Sequence, residues 1–400
     1  MVEIARDVQG VRVAVTGIGV VSCAGVGVED FWRGLFAPAP LGERRVHSFD
    51  AGSLLGEKEL RRVDRFAQMA LVAADEAITM AGGKDSLLDD PDLVGSIVGT
   101  GIGGVATLER EIIINHEKGA RRVSPFLVPM MMGNAGAAGI SMHYGFAGPA
   151  ETIVTACASG PHAIGAAARL VASGRCDVVI AGASEAGMTP TGMAGFRNMT
   201  AMSNRDISQP FAAERDGFVI SEGAGILVLE SEEHAARRSA KVLSWLVGAA
   251  STADAHHITA PAPGGRGAIA CMRRAIADAG LTPADIGYIN AHGTSTPRND
   301  ATEAEAMVSV FGTDGPLVSS TKGVTGHLLA ASGAAEAVAC VLAILRRQLP
   351  PTWGTTQLDP ALAPIRLITQ GDGVAWEPSS ILSNSFGFGG HNGSLVISPA

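Results

Sequence analysis

Apolar positions in the first half of the chain fall into short dense runs at residues 11–16, 94–98 and 177–182. Between these runs they recur every third or fourth residue. The runs predict buried strands and the spaced stretches predict amphipathic helices. Phe66, Ala70, Ala74 and Ile78 share one helical face, behind a basic start at Arg61, Arg62 and Arg65. Ile164, Ala168 and Val171 predict a second helix over 159–173 that Gly174 closes. Residues 151–155 are rich in β-branched types and read as a buried strand entering that helix. Residues 43–59 read as a variable surface loop, and 30–35 as the start of a helix. The stretch 126–142 is apolar but interrupted by Pro129, Gly133 and Asn134, so it reads as a buried irregular segment whose methionines fill core or interface, or line a pocket.

A further strand is expected at 226–230. The alternation then starts again, with strands at 242–249, 286–291 and 394–398, a helix at 266–279 ended by Gly280, and a mostly helical region at 325–347. Two similarly patterned halves meeting near residue 245, with no Pro/Ser-rich linker, predict an α/β fold built by internal duplication into one body.

Composition narrows the class. With 51 glycines and only 17% charged residues, the chain predicts tight turns, close-packed helices and an apolar surface buried in an oligomer. A net charge of −9 argues against a nucleic-acid binder. Five cysteines (Cys23, Cys157, Cys176, Cys271 and Cys340) without CxxC spacing fit a reducing compartment and no disulfide framework. Residues 1–10 lack the apolar core of a signal peptide, and the apolar run 333–345 contains Glu336 and is too short to span a bilayer. The expectation is a cytoplasmic protein that binds no membrane.

Candidate chemistry lies where strands end. Cys157, in Thr155-Ala156-Cys157-Ala158-Ser159-Gly160, sits where a strand turns into a helix, so unpaired amides and the helix dipole favour a thiolate there. A lone buried cysteine is also ordinary packing. Gly99 to Gly104 satisfies G-x-G-x-x-G, a weak dinucleotide signal in so glycine-rich a chain. His292, in Asn290 to Pro297, follows a strand and precedes a helix; it reads either as a catalytic group or as a turn cap. Lys322, His327 and Glu336 form one polar network or, alternatively, a surface lysine and a helix-end histidine. The glycine-rich loop Asn384 to Asn392 offers amides for an oxyanion hole and aromatics for a movable wall, or is a plain tight turn. The cluster of Arg61, Arg62 and Arg65 reads as a solvated helix end or as a docking patch for an acidic protein.

Taken together, Thr155 to Gly160, Asp216 to Gly225, Asn290 to Pro297, Ser319 to Leu329 and Asn384 to Asn392 resemble, in order and spacing, the elongating β-ketoacyl-acyl-carrier-protein synthases of the thiolase superfamily, most closely the synthase II branch. The resemblance implies a five-layered αβαβα sandwich of two duplicated halves, residues 10–245 and 246–400. It implies a homodimer that condenses an acyl chain with malonyl-acyl carrier protein, with substrates on phosphopantetheine and no metal or redox cofactor. By motif, Cys157 holds the acyl group. His292 and His327 act in decarboxylation and enolate stabilisation, and Lys322 with Glu336 orients His327. Phe388 gates acyl entry and supplies, with Cys157, the oxyanion-hole amides. Thr294 and Thr296 line the phosphopantetheine channel, and Ile102, Phe196 and Met132 the acyl pocket. The acidic carrier gives Arg61, Arg62 and Arg65, with Arg197 and Arg205, a reason.

The chain departs from the family pattern at His391, at Ala330-Ala331-Ser332-Gly333 and at Arg298, which bear on chain length and inhibitor binding rather than on reaction class. Rival readings are a ketosynthase of a polyketide pathway, a cysteine acyl hydrolase and an acidic scaffold. Lys322 and a second histidine have no task in the hydrolase.

Overall fold

A computed structural model describes residues 12–400; the expected absence of a signal peptide at 1–10, and the expected start of the first strand and of the first half, lie outside the described residues. Among the described residues, twelve strands form one sheet, and the short strands Gln348–Leu349 and Val374–Ala375 pair separately. In the first half, Val13–Ser22 lies antiparallel to Gly223–Ser231, which lies antiparallel to Val178–Glu185, followed by parallel Val94–Gly99 and Ala150–Glu151. In the second half, Ser244–Ala253 lies antiparallel to His391–Pro399, then to Ser380–Gly387, followed by parallel Ile286–Asn290 and Leu317–Ser319. The order and the directions are the same in both halves, as internal duplication requires. They join where Val13, Ala14 and Val15 pair with Leu246, Trp245 and Ser244.

Helices complete the layers. Arg65–Met80 covers the outer face of the first half-sheet and Arg266–Asp278 that of the second. Between the half-sheets lie Ser159–Ala172 and Ser332–Arg346, each packed against strands of both halves, and the largest apolar cluster is built around them. The result is the five-layered thiolase-like sandwich. The central helices cross at their glycines: a Cβ on Gly160 would lie 2.8 Å from the Ala334 amide, and one on Gly333 would lie 2.5 Å from the Pro161 ring. Small residues therefore let two backbones meet where the active cysteine must be placed.

Several expectations change. The first strand runs through Gly17 and Gly19 instead of ending there, because the helix Arg65–Met80 lies so close that any Cβ would strike the carbonyls of Ala77 and Ala73. The supposed surface loop at 43–59 carries the helix Gly52–Leu60 and the fully buried Arg44, whose guanidinium donates to the carbonyls of Val324 (3.0 Å) and Gly323 (3.3 Å). The stretch 126–142 is two helices, Leu127–Met131 and Ala135–Tyr144, with Val128, Met132 and Met142 exposed. Only Ala150–Glu151 of the strand expected before Cys157 pairs, as an exposed sheet edge. Its β-branched composition marks an apolar edge, not a covered strand. The apolar stretch Leu329–Arg346 is 89% buried in the middle layer, as a core helix.

Candidate active site

Cys157 occupies a sharp turn. Ala156 takes a left-handed φ of 51°, Ser159 Oγ accepts the Thr155 N–H (2.9 Å) and donates to the Ala156 carbonyl (2.7 Å), and the helix begins at Ser159. His162 ties the turn to the second half, its ring meeting Thr155 Oγ1 (2.8 Å) and the Asn392 carbonyl (3.0 Å). Gly387 must be glycine, since a Cβ would lie 2.9 Å from the Cys157 amide. The glycine-rich loop thereby brings the Phe388 backbone N–H to the cysteine, in a turn where Gly389 and Gly390 have φ of 82° and 73°.

The electrostatics correct one expectation. Burial pushes the Cys157 thiol up to about 11, while the Phe388 amide and the Lys322 charge pull it down. Desolvation outweighs these two, so the resting group is a thiol and its proton needs an acceptor. His327 supplies one: its Nε2 lies 3.1 Å from Cys157 Sγ. Burial and the Lys322 charge hold both His327 and His292 well below the ordinary histidine range, so both rings are neutral.

Each ring is fixed locally. His327 follows the helix Lys322–Thr325 and Gly326 (φ 66°), and its backbone bonds both Val219 (2.7 Å) and Ser221 (2.9 Å). Its Nδ1 meets Ser332 Oγ at 2.8 Å, and Phe218 packs edge-on at 5.2 Å between centroids. The expectation that Lys322 and Glu336 orient this ring is therefore amended. They form a buried ion pair with each other, and Lys322 reaches the histidines through its field. His292 is placed by its backbone: Glu303 accepts the amides of His292 (2.7 Å) and Gly293 (2.8 Å), and Asp300 accepts that of Ser295 (3.1 Å). His292 Nδ1 has no partner among the described residues. The donor atoms of Cys157, His292 and His327 lie within 4.8 Å of one another.

These groups open into a cavity of about 560 Å³ that Thr294, Thr296, Ile102, Phe196 and Phe388 also line. Met132 is not among the walls that this one chain supplies, and it is 42% exposed. Arg298 stands at the rim, whereas His391 lies outside the lining. The G-x-G-x-x-G loop is no dinucleotide site: the Glu185 carboxylate takes the Gly101 amide (2.7 Å), the Ile102 amide (3.4 Å) and the Thr100 hydroxyl (3.1 Å), so the position of a pyrophosphate is filled from within.

The basic cluster divides. Arg65 is committed to Glu222 (2.7 and 2.9 Å) and the Val46 carbonyl (2.6 Å). Arg205 bonds Gln209 (2.9 Å) and the Glu214 carbonyl, with Asp216 at 3.6 Å. Arg61, Arg62 and Arg197 remain more exposed: Arg61 is 3.7 Å from Glu57, Arg197 3.5 Å from Glu43, and Arg62 lies over Phe126. The sequence reading passed over Glu185 and Ser332 as site residues, and over Glu303 as the support of His292. Glu185 ends an apolar strand, and only that position, a carboxylate closing a buried run, marked it in advance.

The chain matches the family models for the β-ketoacyl synthase N-terminal domain over residues 43–235 and C-terminal domain over 243–356. It is 43% identical to a 3-oxoacyl-[acyl-carrier-protein] synthase 2 of Synechocystis, covering 96% of this chain and 97% of that one. It is 39% identical to a mitochondrial 3-oxoacyl-[acyl-carrier-protein] synthase of Arabidopsis thaliana, covering 96% and 93%. Among solved structures, a type II polyketide ketosynthase in complex with its acyl-carrier protein superposes with a TM-score of 0.88 at 31% identity, over 98% of this chain and 100% of that one. With matches on both halves and a cysteine facing two neutral histidines, the chain belongs to the β-ketoacyl synthase family.

Proposed function

We propose that this chain is a synthase II-type condensing enzyme of fatty acid elongation: it holds an acyl chain on Cys157 and joins it to the two-carbon unit of malonyl-acyl carrier protein, with loss of CO2. The observation that carries the reading is the Cys157 thiol 3.1 Å from His327 Nε2, with neutral His292 beside them and all three lining one cavity of about 560 Å³.

In the first stage Cys157 Sγ attacks the acyl thioester carbonyl. Its proton passes to His327 Nε2 and then to the departing phosphopantetheine sulfur. The tetrahedral oxygen rests on the amides of Cys157 and Phe388. In the second stage the bond from the malonyl α-carbon to its carboxylate breaks, CO2 leaves, and the electron pair forms an enolate whose oxygen is held by the N–H groups of His292 and His327. The Ser332 hydroxyl can donate to Nδ1 or accept from it, so one contact supports both His327 tautomers that the two stages need. The enolate carbon attacks the acyl carbonyl, the Cys157–acyl bond breaks, and the thiolate takes a proton from solvent. Lys322 keeps both imidazoles neutral, and Glu336 offsets its charge. Thr294 and Thr296, 2.9 Å apart, flank the arm, and Ile102 and Phe196 face the acyl chain.

The cluster has the donor set of a soft metal site, but the Lys322 charge that discourages imidazole protonation opposes a cation there equally. A polyketide ketosynthase uses the same groups; the higher identity to the fatty-acid-type relatives favours elongation. The carrier protein docks, in this reading, on Arg61, Arg62 and Arg197, with Arg65 and Arg205 shaping the surface behind them. A second copy of the chain covers the edge Ala150–Glu151 together with exposed Val128, Met132, Met142 and Val154, which explains why so apolar a segment ends in the open. Residues up to about 245 form one functional half and the remainder the other, parted at the start of the strand Ser244–Ala253. A cytoplasmic setting is part of the proposal, although one relative is named mitochondrial.

The test is to incubate the protein with acyl- and malonyl-carrier proteins and read intact masses. An acyl adduct on Cys157 and a β-ketoacyl product two carbons longer are expected. Free acid alone, or condensation surviving Cys157→Ala at the parent rate, would overturn the reading.

A further inference from the structure

Glu185 closes the strand Val178–Glu185 at the cavity wall, yet no step of the condensation uses it. It is fully buried and has no ion-pair partner among the described residues. Its two oxygens instead collect donors from both halves. From the first half come the Thr100 hydroxyl (3.1 Å) and the amides of Gly101 (2.7 Å) and Ile102 (3.4 Å). From the second comes the backbone of Ala330, in the turn Leu329–Ala331 between His327 and the helix Ser332–Arg346. Leu329 holds a left-handed φ of 51°, so this turn does not rest in a relaxed conformation of its own.

The packing around the carboxylate leaves no slack. A Cβ on Gly101 would lie 2.6 Å from Glu185 Oε2, and one on Gly187 would touch Leu329 Cδ1 at 3.1 Å and Ile102 Cδ1 at 3.4 Å. Ile102 belongs to the loop that Glu185 grips, and its side chain, 43% exposed, brings Cδ1 to the same spot beside Gly187 as Leu329 of the gripped turn. Burial pushes the carboxyl up to about 7, against the pull of these donors. The titratable groups around it are Cys157, whose thiol its charge raises, and the neutral His327 beyond the Leu329–Ala331 turn.

The geometry points to Glu185 as a positioning residue that clamps the Gly101–Ile102 loop to the turn following His327, and so sets the depth of the acyl pocket. The clamp rests on the condensing function proposed above. With the carboxylate in place, Ile102 is fixed in the wall and long acyl chains must be accommodated around it. Without its acceptor oxygens the loop amides lose their partners, Ile102 is released, and the pocket deepens.

The experiment compares acyl transfer to Cys157 from eight-carbon and sixteen-carbon acyl-carrier proteins, by intact mass against time, in the parent, Glu185→Gln and Thr100→Val. Thr100→Val removes one donor from the clamp while keeping the side-chain shape, so it remains informative if Glu185→Gln folds poorly. The expected result is a ratio of long-chain to short-chain kcat/KM that rises about 10-fold in Glu185→Gln and less in Thr100→Val, carried by KM for the long chain. The Glu185 charge also raises the Cys157 thiol, so the pH midpoint of Cys157 alkylation should move to lower pH in Glu185→Gln, a shift that mere loosening of the fold would not give. A ratio unchanged within about 2-fold in both variants, whatever the absolute rates, would overturn the inference. Absence of any acyl adduct in the parent would instead overturn the condensing function itself.

Discussion

The two central helices occupy equivalent places in the two halves, and they differ in what surrounds their starts. Ser159–Ala172 is preceded by a thiol in a strained turn, with no acidic side chain in its first turn. Ser332–Arg346 is preceded by His327, begins with the serine that holds that ring, and carries Glu336 one turn later against Lys322. Duplication gave two similar sites facing each other across glycines. Chemistry was then divided between them, the nucleophile on one and the proton and oxyanion handling on the other. A thiol at an elbow is a common arrangement; a thiol opposed by a charged pair and two neutral imidazoles performs carbon–carbon bond formation. Burial raises the Cys157 thiol, and the groups that pull it back, the Phe388 amide and the Lys322 charge, both come from the opposite half.

The comparison is most severely tested by removing the nucleophile. Cys157→Ala should lower condensation by on the order of 10⁴-fold or more, with loss of the acyl adduct in intact mass. Next comes the ion pair on the opposite side: Lys322→Ala leaves Glu336 buried and alone, and chemical denaturation should show a loss of about 3–5 kcal/mol. The two histidines should then separate by stage, each costing about 10²- to 10³-fold. His327→Ala should slow both acyl transfer to Cys157 and decarboxylation, whereas His292→Ala should slow decarboxylation and leave acyl transfer largely intact; stopped-flow acylation against CO2 release distinguishes them. At the crossing itself, Gly333→Ala pushes a methyl into Pro161 and should destabilise by about 1–3 kcal/mol, seen as a lower Tm.

The smallest effect concerns protonation. The thiol of the free enzyme should be alkylated faster as pH rises toward about 11, since burial raises its pKa. Lys322 favours the thiolate, so Lys322→Met should move the midpoint up by about one unit. The opposite direction would mean that the helix end, and not the opposing half, controls the cysteine.

Much of this was legible along the chain. The periodicity of Phe66 to Ile78 and of Ile164 to Val171 placed outer and central helices correctly, because a helix that buries one face must space its apolar residues at that interval. Strand-end positions raised Cys157, His292, His327 and Lys322 only as candidates, each beside a plain structural alternative, and the family resemblance chose between the readings. The glycine-rich loop at 387–390 was recognisable because only glycine tolerates its φ values.

Long-range contact decided the rest. Residues 151–155 had the composition of a buried strand, but only topology puts them at an open edge. Met132 and Ile102 are both partly exposed apolar residues of connecting segments, and only the tertiary structure makes Ile102 a wall of the cavity. The Gly101 loop carried a dinucleotide signature that a carboxylate 84 residues away cancels. Local periodicity determined the elements of this protein and the residue types at their ends. Which of those ends meet, which thiol loses its proton to which ring, and which loop is held shut depended on desolvation and distance, and those exist only once the halves have closed on each other.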